Sequence, residues 1–138
     1  MNNSKLAEII ERIKTHISIL QRYINLQEEE ILNDIDKVGS MRYYLEVIIE
    51  DCINIGNHII SEKRFRVPKS YKDVFQILFE NSIISEDLSL KLKEAAGLRN
   101  IIVHLYWKVD DKKILNFIKN NLNIFENFIN YILKSIKI

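Results

Sequence analysis

Cysteine is almost absent from this chain: among 138 residues there is one, Cys52. A lone cysteine excludes an internal disulfide and a cysteine-rich metal site, and it suits a reducing compartment, so a cytoplasmic location is expected. Turn-forming residues are equally scarce. Three glycines and one proline leave little material for strand–turn–strand architecture. No stretch reaches the roughly 18 uninterrupted apolar residues of a membrane span, and the polar start Met1-Asn2-Asn3-Ser4-Lys5 lacks the apolar run of a signal peptide. An excess of one charge is missing too. At a net charge of +1 no global field draws nucleic acid, and any basic surface must be local.

What the chain does have is aliphatic periodicity. The length suits a single domain, 1–138, that needs neither metal nor disulfide to bury a core. Isoleucine is frequent, and its β-branching slightly disfavours helix, yet the apolar spacing is three and four rather than two, which decides for helices. Leu6, Ile10, Ile13, Ile17, Leu20 and Ile24 predict a first helix from about Ser4, as N-cap, to about Asn25. Val38, Met41, Leu45, Ile48, Cys52, Ile55 and Ile59 predict a second over about Asp36 to Glu62. Its seam suits antiparallel packing, with Cys52 as a small buried hydrophobe. Tyr71 to Asn81, capped by Ser70, forms a third. A fourth opens at Ser85-Glu86, and a fifth runs from about Asp111 to the end. The expected fold is therefore all-α, an antiparallel up-and-down bundle of about five helices. The acidic run Gln27-Glu28-Glu29-Glu30 reads as solvated surface between the first two.

Three polar features stand out. On the second predicted helix Asp51, Asn54 and His58, with Glu50 and Asn57 beside them, form a ridge. A metal reading of Asp51 and His58 lacks a third ligand, and a hydrogen-bonded polar layer is the simpler reading. The connector Lys63-Arg64-Phe65-Arg66-Val67-Pro68-Lys69-Ser70 is the densest positive cluster. Lys63, Arg64, Arg66 and Lys69 fit a phosphate-contacting loop, and they fit a solvated linker equally well.

The third feature is Gly97-Leu98-Arg99-Asn100-Ile101-Ile102-Val103-His104-Leu105-Tyr106-Trp107 on the fourth helix. At about 100° per residue, with Arg99 at zero, Asn100 and His104 fall at roughly 100° and 140° and Tyr106 at roughly −20°, while Leu98, Ile101, Ile102 and Leu105 fill the opposite side. A plain core helix would put Lys or Glu on its outer face. This one presents a cation, an amide, an imidazole and a phenol. Histidine titrates near neutral pH and can move a proton. Arginine matches the fork of phosphate oxygens. Together they suit cleavage of an RNA phosphodiester by its own 2′-hydroxyl, with His104 in proton transfer, Arg99 stabilising the phosphorane-like charge, and Asn100 orienting the imidazole or binding substrate. That route requires no metal or cofactor. Arg99 and His104 diverge by about 140° on one helix. A two-fold dimer would bring two such faces across a groove. Gly97, set in a helix interior, is expected to serve close packing, and Trp107 to fill an interface.

Arg99-Asn100-x3-His104-x-Tyr106 resembles the Arg-x4-His motif of HEPN-domain ribonucleases. The second predicted helix, Leu45 to Ile60, and the loop Arg66-Val67-Pro68-Lys69-Ser70-Tyr71 look like the HepT toxin branch. The resemblance spans about Asp36 to the C-terminal helix. It implies an all-α homodimer with an RNase groove between protomers, with Arg99 and His104 catalytic and Asn100 supporting them. It also implies a MntA-type minimal nucleotidyltransferase as antitoxin, which transfers AMP from ATP to the motif tyrosine, here Tyr106. Transfer RNA is a substrate in that family. Two other classes stay open at this point: a non-catalytic member of the fold that binds a nucleotide or scaffolds the nucleotidyltransferase, and a purely structural helical adaptor.

Overall fold

The longest apolar stripe becomes the centre of the molecule. In the computed structural model, which describes residues 2–104 and 106–136 with Tyr106 by its backbone only, α3 (Ile35–Glu62) packs against all the other helices. These are α1 (Asn3–Ile24), α2 (Glu28–Leu32), α4 (Tyr71–Glu80), α5 (Glu86–His104), α6 (Asp111–Asn121) and α7 (Asn123–Ile136). The described residues include no strand, and no described helix is long and apolar enough to cross a membrane. Met41, Leu45, Ile48, Cys52, Ile55 and Ile59 are all fully buried, as their spacing requires. Burial pushes the Cys52 thiol well above its ordinary pKa, so it is an inert core residue.

The bundle has more pieces than the expected five. The acidic run is solvent-facing as expected, but it is also helical: Glu28, Glu29 and Glu30 form the first turn of α2, where carboxylates favour the positive end of the helix, and Ile31 anchors that turn in the core. The predicted last helix is divided at Leu122. Asparagines crowd the division, and the Asn120 side chain donates to the Asn116 carbonyl at 2.9 Å, the local competition that loosens a helix. The first helix begins two residues early because Asn2, not Ser4, accepts the capping bond from the Lys5 amide at 2.8 Å. Ser70 and Ser85 cap as expected, accepting from the amides of Asp73 and Leu88.

Helix ends here are closed without glycine. Arg64 and Ser82 take left-handed backbone, with φ of 57° and 59°. At α3 the Arg64 amide donates to Ser61 and the Phe65 amide to Ile60; at α4 Ser82 donates to Phe79 and Ile83 to Leu78. Both are paired terminal bonds of the Schellman kind, followed by an apolar residue on the core. Glycine instead serves packing at Gly56, where a Cβ would lie 2.6 Å from Val74 Cγ1. This brings α4 against α3. Gly97, the expected packing glycine, has only the end of the Lys72 side chain nearby, at 3.4 Å.

Candidate active site

The direction of Arg99 follows from the buried side of its helix. Measured along α5 at about 100° per residue, Leu88 and Leu92 lie within roughly 20° of the Arg99 direction, and both are buried. Arg99 therefore points inward with them and is 8% exposed, whereas His104, about 140° away, is exposed. The expected common polar face is thus divided: Arg99 lies inside the buried arc spanned by Leu88, Leu92, Ala95, Ala96, Leu98 and Ile102, and His104 lies outside it.

A buried guanidinium needs partners. Arg99 Nη2 donates to Glu50 Oε1 at 3.1 Å, and Nη1 donates to Asn100 Oδ1 at 3.3 Å. The guanidinium carbon sits 4.8 Å from the centroid of the Tyr71 ring, within cation–π range. Nε is buried and has no hydrogen-bond partner among the described residues. Burial, with Glu50 beside it, pushes the Glu46 carboxyl above the usual carboxylate range, and Arg99 works the other way.

Asn100 and His104, one turn apart, open onto a cleft of about 540 Å³. Its other walls are Asn57 of α3, the Pro68–Lys69–Ser70 loop, and Tyr71 and Val74 of α4. The guanidinium of Arg99 lies directly behind two of these lining residues, Asn100 and Tyr71. Asn57 belongs to the polar ridge of the sequence and here lines a site, whereas no motif in the sequence marks Tyr71 as a site residue. The available signal for Tyr71 was an aromatic immediately after a capping serine in a basic loop.

The basic loop divides as well. Lys69 lines the cleft and also the neighbouring one, which Lys72 and Lys93 share. Lys63 and Arg64 are exposed at the end of α3. Arg66 is engaged instead: it holds Asp73 through two bonds of 2.8 Å and Glu80 through two of 3.0 Å, tying the loop to both ends of α4. The polar ridge on α3 disperses. Asp51, 2% exposed, is held by Arg12 of α1 at 2.6 and 2.9 Å, and His58 pairs with Glu62 at 3.0 Å. Among the described residues no cluster of His, Cys, Asp and Glu is arranged to hold a metal ion. Tyr106 opens a 3-10 turn, Tyr106–Lys108, rather than continuing α5. Its side chain and Leu105 lie outside the described residues. Trp107 in that turn is 66% exposed.

An all-α bundle in which α5 sets an imidazole and an amide, and the loop before α4 a lysine, around an open cleft with a guanidinium behind it is a fold whose site fits a phosphodiester substrate. Residues 13–132 match the profile of a family described as ribonuclease HepT-like. The chain belongs to this HepT-like ribonuclease family. It is 36% identical to the mRNA nuclease HepT of Shewanella oneidensis over 78% of this chain and 72% of that protein. It is 25% identical to the tRNA nuclease HepT of Aphanizomenon flos-aquae over 76% and 71%. Among solved structures, a tri-AMPylated HEPN toxin of Shewanella oneidensis in complex with its MNT antitoxin superimposes with a TM-score of 0.86 at 31% identity, covering 98% of this chain and 99% of that one. A toxin–antitoxin crystal structure with AMP-PNP gives 0.85 at 31% identity, covering 96% and 99%.

Proposed function

We propose that this chain is a metal-independent endoribonuclease toxin of a cytoplasmic toxin–antitoxin pair. It acts as a homodimer and cleaves RNA, transfer RNA among the candidate targets, in a groove between protomers. The observation that carries this reading is the common cleft of His104, Asn100 and Lys69, backed by Arg99 through its bond to Asn100. The ribose 2′-oxygen attacks the adjacent phosphorus, the bond to the 5′-oxygen breaks, and the products are a 2′,3′-cyclic phosphate and a 5′-hydroxyl. His104 moves a proton on this path. Asn100 orients substrate, and the charge of Arg99 stabilises the phosphorane-like transition state. Lys69 contacts phosphates, and Lys63 and Arg64, exposed earlier in the same connector, extend the basic surface. His104 stands exposed at the end of α5, where a second copy can meet it, and Trp107 offers apolar surface for that contact.

Neutralisation fits the same place. A MntA-type nucleotidyltransferase antitoxin would transfer AMP from ATP to the Tyr106 oxygen, releasing pyrophosphate. The added phosphate, in the turn directly after His104, repels and blocks an RNA strand. The engagement of Arg99 by Glu50 favours a second reading, a non-catalytic HEPN-fold subunit that binds a nucleotide or scaffolds the nucleotidyltransferase. Purified protein incubated with RNA in EDTA, beside His104→Ala and Arg99→Ala, separates the two. Cleavage that leaves cyclic phosphate ends and is lost in both variants supports the ribonuclease. No cleavage by wild type, or equal cleavage by all three, overturns it.

A further inference from the structure

Tyr71 is placed unusually for a core-edge aromatic. One face of its ring is taken by the Arg99 guanidinium, yet the residue remains 43% exposed and lines the cleft that holds His104 and Asn100. We propose that Tyr71 is a base-stacking platform: the open part of its ring receives one nucleobase flanking the scissile phosphate, with the amides of Asn57 and Asn100 at the base edge. This deepens the ribonuclease reading and rests on it.

The cleft suits a base in shape and chemistry. Its volume of about 540 Å³ leaves room for a nucleotide, and single-stranded RNA is held by stacking splayed bases on aromatic rings. The ring is fixed before the ligand arrives. Ser70, the residue before it, caps α4 by accepting from the Asp73 amide, and Arg99 backs the ring, so little side-chain freedom is lost on binding. Each carboxamide carries donors and an acceptor. The Asn100 oxygen already accepts from Arg99, which leaves its NH2 group to donate towards a base carbonyl or ring nitrogen. Asn57, exposed on the facing wall, offers both. Lys69 lies between this cleft and the next one, where the phosphate of the following nucleotide would meet it. The arrangement places chemistry at His104 and recognition at Tyr71 within one pocket, joined by Arg99, which touches Tyr71 and Asn100 at once.

The test uses the full-length protein and short RNA oligomers whose cleavage position wild type has first defined. Tyr71→Phe keeps the ring and Tyr71→Leu removes it. With intact RNA, Tyr71→Leu should lose about tenfold or more in kcat/KM, and Tyr71→Phe should stay close to wild type. The decisive arm uses RNA in which the nucleotide on one or the other side of the scissile phosphate is abasic. If the ring stacks a base, wild type falls to the level of Tyr71→Leu on one of these substrates, and the difference between them disappears. A loss in Tyr71→Leu that persists on both abasic substrates means that Tyr71 only supports Arg99, and it overturns the platform. Equal activity of all three proteins on intact RNA also overturns it. Wild type that cleaves no RNA would instead overturn the ribonuclease reading beneath.

Discussion

Arg99 Nη2 lies 3.1 Å from Glu50 Oε1, and the two side chains differ sharply in exposure, 9% for the cation and 45% for the carboxylate. Removing the carboxylate strands a buried charge, whereas removing the cation leaves a carboxylate that water can reach. Glu50→Gln should therefore destabilise the fold by about 1–2 kcal/mol, the buried-pair cost discounted for the exposed partner. Arg99→Met, which keeps the apolar stem, should be close to neutral in stability while cleavage falls about 100-fold or more. Urea titrations beside a cleavage assay check both. A larger loss of stability in Arg99→Met than in Glu50→Gln would show that the guanidinium is there mainly for the fold.

The three glycines should respond differently to one methyl group. Gly56→Ala places a carbon 2.6 Å from Val74 Cγ1 and should cost about 1–3 kcal/mol, since the α3–α4 contact must open. At Gly39 a Cβ meets nothing within 4 Å, so the gain in helix propensity should appear unopposed, at up to about 1 kcal/mol. Gly97→Ala meets only the flexible Lys72 terminus and should fall between the two. Thermal melts of the three variants give the order, and a stabilising Gly56→Ala would contradict the packing described.

Acid should weaken the loop before α4 in a specific way. The Arg66 guanidinium, with the Lys69 amide, holds the Asp73 carboxyl down at about 2, against an ordinary value of 3.8. A carboxyl lowered by folding contributes stability that is complete above its unfolded pKa and is lost as pH falls through the folded one. The stability difference between wild type and Asp73→Asn should thus stay constant from neutrality to about pH 5 and shrink as pH falls from about 4 towards 2. Denaturation followed across that range measures it. A gap that widens in acid would reverse the assigned sign.

Tyr106→Phe removes the phenolic oxygen that the proposed AMP transfer needs and little else. Co-expressed with the partner nucleotidyltransferase, the variant should arrest growth where wild type is silenced, and intact-mass measurement should find AMP on wild type alone. Equal growth of the two strains would fit a structural adaptor.

The elements of the bundle were legible where the chain repeats itself. The stripes through Ile13, Ile48 and Ile129 become buried faces, because helical geometry alone places residues three and four apart on one side. The short α2 was less legible: five residues hold too few repeats to show a period, and its acids read as surface. The motif residues Arg99, Asn100 and His104 could be picked from the chain by chemistry and spacing. Their directions could not, since how wide the buried side of α5 is, and so whether it takes in Arg99, depends on the helices packed around it.

By itself the sequence determined an all-α chain, its main helices, the caps Ser70 and Ser85 and a buried Cys52, all consequences of interactions between residues a few positions apart. Only the tertiary structure decided that Arg99 turns inward to Glu50, 49 positions away, that Arg66 is held by Asp73 and Glu80, and that Tyr71 joins His104 in one cleft. The physical reason is that a charge or an aromatic ring takes its partner from whichever helix packs beside it. That choice is made by the burial of the whole core rather than by local spacing.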